Sequence, residues 1–313
     1  MKTIQKVYIS GLGAIGSAYA SRIYETDPHL VTVIADRERI DRYSQSGVSV
    51  NGKAYPFHFV QPESGGSPAD LILIAVKQHQ LEQSIQAIRQ FVGEDTIILS
   101  LLNGISSEEI IGREYHPDQL LYSFVVGTDA VRTGTQTRFS NMGKIVFGEK
   151  INTTYSAKVN LVREFFDRTK VPYVVPVDML QELWWKFMLN VGINQTSAIL
   201  KAPYGVFHKV GEARELAEMA CREVIQLSQQ VGVNLNEDDF DRCIQVINTL
   251  APEGKTSMLQ DIEAGRKTEV EIFAGTVIEL GRQYEVDTPV NQILFRIIRT
   301  LEQTYPTGCA LDI

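Results

Sequence analysis

Cysteine and histidine are scarce in this chain, and neither is spaced to build a site. Its 313 residues include only three cysteines, Cys221, Cys243 and Cys309, without a C-x-x-C pair. This usage favours reduced thiols in a cytoplasmic protein and argues against a disulfide framework or a zinc site. The five histidines are scattered along the chain, so we expect no metal centre.

Long hydrophobic runs and an excess of positive charge are also missing. The longest apolar stretches, such as TIILSLL and LILIAV, are too short to span a bilayer, and no signal-peptide pattern is evident. The net charge of −8 at pH 7 argues against nucleic acid and anionic membranes as partners. It does not restrict small ligands, because an anion site needs only a few local donors.

The hydrophobic pattern changes near residue 175. Before it, short apolar runs such as KVYIS, LVTVIA and LILIAV alternate with helical patterns, which indicates a doubly wound parallel sheet covered on both faces. After it, the pattern predicts only helices, at about 178–200, 212–231, 237–250, 257–284 and 290–304. The last residues, PTGCALDI, resemble a loose tail. We therefore predict two domains, residues 1–175 and 176–313.

A glycine-rich loop directly follows the first predicted strand and opens a helix. Its six residues are Gly11, Leu12, Gly13, Ala14, Ile15 and Gly16. In this G-x-G-x-x-G context, the first glycine allows a tight turn, the second lets the backbone approach a pyrophosphate, and the third lets the helix pack closely. The alternative is a structural turn without a ligand. We favour a Rossmann-type dinucleotide-binding domain.

The end of the second predicted strand bears on the choice of cofactor. Asp36 lies there, where an acidic residue normally accepts the ribose hydroxyls and repels a 2′-phosphate. Arg37 and Arg39 are the competing signal, since either is able to pair with that phosphate. Because Asp36 holds the specifying position, we expect NAD, with NADP as the alternative.

The stretch WWKFMLNVGINQTSA places a lysine and two asparagines four residues apart in an apolar helix. Lys186, Asn190 and Asn194 share one stripe, because each step of four residues drifts by only about 40° around an α-helix. The stripe is either a polar seam satisfied by neighbouring helices or a catalytic face. Taken alone, the helix favours the polar seam.

More polar residues follow other predicted elements. Lys77 comes directly after the third strand and Asn103 after TIILSLL, so both are expected at the carboxyl edge of the sheet, where ligands bind in open α/β folds. Ser257 opens the run SMLQD, and Glu269 lies twelve residues beyond it.

In this order the motifs resemble the ketopantoate reductase (2-dehydropantoate 2-reductase) family over nearly the whole chain. The shared pieces are G-x-G-x-x-G, V-K-x-x-Q, N-G, W-x-K-x-x-x-N-x-x-x-N, and S-M-L-Q-D followed by T-E. The resemblance implies a Rossmann domain and an all-α substrate domain, similar to the C-terminal domain of 6-phosphogluconate dehydrogenase. We also expect the helical half to support a homodimer.

The resemblance implies a role for each polar residue. Lys186 looks like the catalytic lysine, and Glu269 resembles an acidic residue that helps to position the substrate and the lysine. The implied substrate-binding residues are Asn190, Asn194 and Ser257, and those lining the nicotinamide and substrate cleft are Lys77 and Asn103. An ammonium suits reduction of a 2-oxo group, because the developing alkoxide needs a proton or a cation.

Three positions depart from the family pattern. Asp36 stands where members usually carry arginine and prefer NADP. Gly254 replaces an asparagine that contacts the substrate, which we expect to loosen discrimination and to leave space for bulkier substrates. Gln195 replaces the proline that follows Asn194, which we interpret as a minor local change.

The expected activity is the nicotinamide-dependent reduction of a branched 2-oxo acid to the (R)-2-hydroxy acid, with 2-dehydropantoate as the leading substrate. An NAD-dependent D-2-hydroxyacid dehydrogenase of the mandelate type is the alternative, favoured by Asp36 and Gly254. A regulator that senses NAD without catalysis would not need Lys186, Ser257 and Glu269 together. A 3-hydroxyacid dehydrogenase shares the domain order but not the SMLQD run.

Overall fold

The computed structural model of the chain describes residues 3–304. The predicted tail PTGCALDI, with Cys309, lies outside the described residues. The chain divides into two compact units, Met1–Leu180 and Gln181–Ile313. Among the described residues, no helix is both long and apolar enough to cross a membrane, and no group of three or more histidine, cysteine or acidic side chains is placed to hold a metal ion.

The first unit contains two sheets. Its strands are β1 (Val7–Ser10), β2 (Val31–Ile34), β3 (Ser49–Val50), β4 (Lys53–Ala54), β5 (His58–Val60), β6 (Leu71–Ile74), β7 (Ile97–Ser100), β8 (Leu120–Val126), β9 (Val131–Thr133), β10 (Gln136–Arg138), β11 (Lys144–Gly148) and β12 (Tyr173–Val174). The main sheet has eight strands in the order β12-β11-β8-β7-β6-β1-β2-β5. Its helices are α1 (Ala14–Thr26), α2 (Arg37–Ser46), α3 (Leu81–Ile88), α4 (Ser107–Gly112) and α5 (Ala157–Thr169).

The central strands are parallel and buried on both faces. All four residues of β1 are buried, and Val7 and Ile9 pack into one hydrophobic cluster while Tyr8 packs into the other. This alternation shows why the strands read as continuous apolar runs. The predicted doubly wound domain is confirmed, with one difference at an edge: β11 runs antiparallel to β8, and β12 pairs in parallel with β11.

A small second sheet, in the order β4-β3-β10-β9, was not predicted. Its strands are two or three residues long and largely polar, so they lack a hydrophobic alternation. Asn51 and Gly52 join β3 to β4 with positive φ values of 51° and 81°. An Asn-Gly pair of this kind is a strong hairpin signal and is the feature that predicts this sheet.

In the described part of the second unit, the secondary structure is helical. Its first helical run begins two residues before the unit boundary and consists of α6 (Met179–Leu189), a π-helical turn over Asn190–Asn194, and α7 (Gln195–Leu200). The elements that follow are α8 (Gly205–Lys209), α9 (Gly211–Gln230), α10 (Glu237–Asn248), α11 (Ser257–Glu263), a second π-helical turn (Glu271–Gly275), α12 (Thr276–Tyr284) and α13 (Pro289–Thr304).

The prediction of a single helix over 257–284 is wrong. The chain leaves α11 after Glu263, and Gly265 adopts a left-handed φ of +61°. The Arg266 N–H then bonds the Asp261 carbonyl at 2.8 Å, which satisfies a carbonyl that the helix end leaves open. Helical structure returns only at Glu271. Glu269 therefore lies in a connecting segment and not on a helix.

Candidate active site

The glycine loop has the geometry that a pyrophosphate requires. Gly11 has φ +99°, and a Cβ there would meet the Ala75 carbonyl oxygen at 2.6 Å; a Cβ on Gly16 would meet the Gly11 oxygen at 1.9 Å. At Gly13 the nearest such atom is 3.8 Å away, so the backbone is open to an incoming group. No side chain caps the N-terminus of α1, which leaves its first N–H groups to a ligand. These residues fit a dinucleotide.

Lys77 and Asn103 leave the same edge of the sheet as this loop. Residues Ser10, Ile74 and Ser100 lie side by side at the ends of β1, β6 and β7, and Lys77 and Asn103 each follow their strand by three residues. The chain passes from β1 to β2 on one side and continues to β6 on the other, so this edge is the topological switch point of the sheet. Lys77 is exposed and Asn103 is half-buried.

A buried carboxyl group lies just beyond Asn103, at the start of α4. Glu108 accepts hydrogen bonds from the Ser107 hydroxyl at 2.9 Å and from the Ser123 N–H at 3.2 Å. Burial raises the pKa of Glu108 from 4.5 to about 7, and these hydrogen bonds only partly oppose the rise. The group thus fastens α4 to β8.

Asp36 ends the loop after β2 and caps α2. Its Oδ1 accepts the Arg39 N–H at 2.8 Å, and its Oδ2 lies 3.5 Å from the Arg39 guanidinium. Arg37 pairs with Asp41 at 3.0 Å. Both arginines that compete for a 2′-phosphate therefore already pair with carboxylates, Arg37 with Asp41 of α2 and Arg39 with the N-cap Asp36.

The predicted stripe of Lys186, Asn190 and Asn194 exists, but it is not a plain α-helical one. The π-helical turn covers both asparagines. In an α-helix, residues four apart are offset slightly around the helix axis. A π turn contains more residues than an α turn, so this forward offset is lost. The turn packs against α9 at Gly192, where a Cβ would meet the Cys221 sulfur at 2.4 Å. A side chain at position 192 would therefore push the turn away from α9.

The two asparagines are buried and incompletely paired. Asn190 and Asn194 are 1% and 7% exposed, and Asn194 Nδ2 donates to Asn190 Oδ1 at 3.3 Å. Among the described residues, the Asn190 Nδ2 group has no hydrogen-bond partner. A buried donor without an acceptor costs about 1–3 kcal/mol, so native proteins rarely keep one without a ligand or water to satisfy it.

Lys186 is half-buried in α6. Burial lowers the pKa of its ammonium from 10.5 to about 8, while Cys243 and Glu269 act electrostatically in the opposite direction. A lysine with a pKa near 8 is able to exchange its proton at neutral pH.

The segment that carries Glu269 is fixed by a distant helix. Glu302 of α13 accepts hydrogen bonds from the Thr268 N–H and the Thr268 hydroxyl, both at 2.7 Å. The Glu269 carbonyl then accepts the N–H groups of Ile272 and Phe273 at 3.1 and 3.2 Å. Hydrogen bonds on the residue before Glu269 and on its own carbonyl therefore fix the backbone at Glu269.

Ser257 is exposed at the start of α11. Within residues 3–304 no side-chain hydrogen bond joins it to Lys186 or to the two asparagines. Its neighbour Thr256 caps α11 through the Leu259 N–H at 3.1 Å.

Gly254 lies against the ring of Tyr204, and its effect on the size of the substrate stays a prediction. A Cβ there would lie 3.0 Å from the Ala251 carbonyl oxygen and 3.1 Å from the Tyr204 ring, so the backbone at Gly254 is tightly packed. The Gly254 carbonyl accepts the Tyr204 N–H at 2.9 Å, which keeps the two residues together. Tyr204 was not predicted, because it lies fifty residues before Gly254 in the sequence.

Gln195 is the other residue that sequence reasoning underestimated. Its side chain is fully buried and bonded to backbone atoms of both π-helical turns, through Val191 and Ala274. The available signal was a polar amide at an interior position of an apolar helix, since buried amides need partners.

Comparison with known proteins agrees with this geometry. The family model for ketopantoate reductase (PanE/ApbA) matches residues 7–152, and the model for its C-terminal domain matches residues 178–302. The chain belongs to the ketopantoate reductase family. Membership makes it an oxidoreductase acting on CH–OH groups, in a family that depends on nicotinamide cofactors, and confirms the predicted Rossmann-like domain followed by a helical domain.

Individual members of the family are distant in sequence. A 2-dehydropantoate 2-reductase from Streptococcus pyogenes is 23% identical over 301 residues, covering 95% of this chain and 97% of its own. A dimeric ketopantoate reductase from Staphylococcus aureus has a TM-score of 0.78 at 24% identity, covering 95% and 99% of the two chains. D-mandelate dehydrogenase, solved with NADH and anilino(oxo)acetate, has a TM-score of 0.86 at 21% identity, covering 96% and 99%.

Proposed function

We propose that this chain reduces a branched 2-oxo acid to the (R)-2-hydroxy acid, with 2-dehydropantoate as the leading substrate. The observation that carries the proposal is the unpartnered Asn190 amide, which is buried on the same helical run as a lysine of lowered pKa. An α-keto carboxylate offers acceptor oxygens to the amide and a carbonyl oxygen to the ammonium.

Each side chain then has one task. Asn190 and Asn194 bind the oxygens of the substrate and orient it. Lys186 donates a proton to the C2 oxygen as negative charge develops there, and its positive charge stabilises that oxygen before the transfer is complete. Glu269 favours the ammonium form of Lys186 and so keeps the acid loaded. Ser257, Lys77 and Asn103 remain proposed binding residues by family resemblance.

The cofactor proposed is NAD, held by the glycine loop of residues 11–16 and by Asp36. When bound, the reduced nicotinamide supplies the hydride. The open backbone at Gly13 and the uncapped start of α1 support the pyrophosphate site. The pairing of Arg37 with Asp41, and of Arg39 with Asp36, supports NAD over NADP, because both arginines face carboxylates.

The test is to follow the oxidation of NADH and of NADPH separately, with 2-dehydropantoate, benzoylformate and 2-oxoisocaproate as acceptors. Turnover of 2-dehydropantoate well above the others supports the leading substrate. Turnover confined to NADPH contradicts the role given to Asp36. If no pair reacts while NADH still binds, the chain is a sensor and the proposed catalysis is wrong.

The second candidate is a D-2-hydroxyacid dehydrogenase of the mandelate type. The observation in its favour is that the Tyr204 ring lies beside Gly254, the position where the resemblance places a substrate-contacting asparagine in other members. An aromatic surface at this position favours an apolar or aromatic substituent over a hydroxyl. Fast reduction of benzoylformate with NADH, and slow reduction of 2-dehydropantoate, would select this candidate.

We also propose that the chain forms a homodimer, as its Staphylococcus aureus relative does. Sedimentation at micromolar concentration tests this directly, and a single monomeric species would contradict it.

A further inference from the structure

Two π-helical turns adjoin the proposed reacting residues. The first, Asn190–Asn194, begins and ends with the two substrate asparagines, and the second, Glu271–Gly275, begins two residues after Glu269. π-Helical turns are rare, and they occur frequently at functional sites. Their backbone groups do not follow the α-helical pattern, so their geometry depends on contacts from outside the turn.

One side chain bonds the backbone of both turns. Gln195 Nε2 donates to the Val191 carbonyl at 2.8 Å, in the first turn, and Gln195 Oε1 accepts the Ala274 N–H at 3.2 Å, in the second. The side chain is fully buried, so neither bond competes with bulk water. A single planar amide therefore bridges the two turns.

The orientation of this amide is fixed by a third partner. Gln195 Nε2 also donates to Asn291 Oδ1 at 3.2 Å, and Asn291 Nδ2 donates in turn to the Glu223 carboxylate at 2.7 Å. The same carboxylate accepts the N–H groups of Val290 and Asn291 at 2.7 and 3.0 Å. Rotating the Gln195 amide by 180° would face oxygen to oxygen and N–H to N–H at every contact, so only one orientation is stable.

We infer that Gln195 is a positioning residue for the reaction proposed above, on which this inference rests. It fastens the turn that carries Asn190 and Asn194 to the segment that follows Glu269, and so fixes the substrate amides relative to the carboxylate that acts on Lys186. Proline, which the resemblance places at this position in other members, offers no side-chain amide. The link is therefore a property of this chain's own sequence.

The test compares two substitutions with a matched control. Gln195→Met removes all three bonds and keeps the side-chain length, whereas Gln195→Glu keeps an acceptor for Ala274 and loses the donor to Val191 and Asn291. The control, Asn152→Ala, deletes a buried amide of the first unit that makes three hydrogen bonds of 2.9 Å. All three variants lose buried hydrogen bonds, but only the first two touch the π-helical turns.

Amide hydrogen exchange gives a readout that does not depend on activity. In Gln195→Met we expect exchange to accelerate about fivefold or more in both turns, which corresponds to about 1 kcal/mol for each lost backbone partner. In Gln195→Glu we expect the first turn to accelerate while Ala274 stays protected. In Asn152→Ala both turns should exchange as in the wild type. Unchanged exchange in both turns of Gln195→Met would overturn the link.

Kinetics decide whether the link serves the reaction. We expect both Gln195 variants to raise the KM for the 2-oxo acid and to lower kcat, each about tenfold, corresponding to about 1.4 kcal/mol, with the Kd for NADH unchanged. Asn152→Ala should lower Tm and keep the wild-type KM. If folded Gln195→Met has the kcat and KM of the wild type, Gln195 is only a structural residue and the positioning role is wrong. If the wild type reduces no 2-oxo acid, the proposed function and the positioning role fail together, and the exchange data separately confirm or refute the link.

Discussion

Replacing Lys186 by methionine should make the protein less active and more stable at the same time. The change keeps a long unbranched side chain and removes the ammonium. Loss of a general acid typically lowers the rate by about 10²–10⁴-fold, so we expect kcat for 2-oxo acid reduction to fall by that factor. Lys186→Arg keeps a cation that does not release its proton at neutral pH, so it should be nearly as inactive.

The gain in stability follows from the lowered pKa. The pKa of Lys186 lies at about 8 instead of 10.5. At about 1.4 kcal/mol per pH unit, burying the ammonium lowers the free energy of unfolding by about 3 kcal/mol when the lysine is protonated in both the folded and the unfolded chain. Between pH 8 and 10.5 the unfolded chain binds the proton and the folded chain releases it, so wild-type stability rises with pH in this window. The methionine variant should exceed the wild type by up to about 3 kcal/mol at pH 7, and the difference should vanish above about pH 10.5.

Urea unfolding at pH 7, 9 and 10.5, together with NADH oxidation at saturating substrate, measures both effects. Lys209→Met, at an exposed lysine of α8, is the matched control and should change neither. For the wild type, the rate of reduction should fall as pH rises above about 8, because the acid form is lost. The reasoning is refuted if Lys186→Met is less stable than the wild type at pH 7 with no convergence at high pH, or if its kcat falls by less than tenfold.

Four further substitutions test the cofactor site and a buried carboxyl group. Gly16→Ala should abolish NADH binding and lower Tm, because its Cβ would meet the Gly11 oxygen at 1.9 Å. Gly13→Ala should keep the wild-type Tm and weaken NADH binding about tenfold or more in a fluorescence titration, since the added methyl group obstructs the pyrophosphate. Asp36→Asn keeps an N-cap and removes the charge, so the ratio of kcat/KM for NADPH to that for NADH should rise about tenfold, and an unchanged ratio would show that Asp36 does not select the cofactor. Glu108→Gln should become more stable than the wild type by up to about 3 kcal/mol as pH rises from 4.5 to 7, because the folded wild-type carboxyl has a pKa of about 7 and resists ionisation. If the difference in free energy of unfolding between variant and wild type is the same at pH 5 and pH 8, this reasoning is wrong.

The features that were predictable from the sequence depend on residues that lie close together along the chain. The glycine loop depends on three glycines within six residues, placed between an apolar strand and a helix. The stripe of Lys186, Asn190 and Asn194 depends on a spacing of four within one helix. Each pattern follows from the geometry of one local element, so the sequence around it was sufficient to find it.

Other features depend on pairs of residues that are distant in sequence. Glu302 holds Thr268 from 34 positions away, and Gln195 bonds Ala274 from 79 positions away. No local periodicity encodes such pairs. The contact of Glu302 with the segment before Glu269 could therefore not be predicted from the sequence, whereas the break after α11 has a local signal in Gly265, a residue type typical of the position just past a helix end.

The sequence by itself determined the Rossmann domain, the helical domain and the chemical types available for catalysis, because strand alternation, helix period and glycine spacing are local properties. Tertiary structure decided how those types are used. It wound Asn190 and Asn194 into a π turn, filled the place beside Gly254 with the Tyr204 ring, and buried Lys186 enough to bring its pKa to about 8. Burial and hydrogen bonding arise only when distant elements pack together, so the residues can be read from the chain but their protonation and orientation cannot.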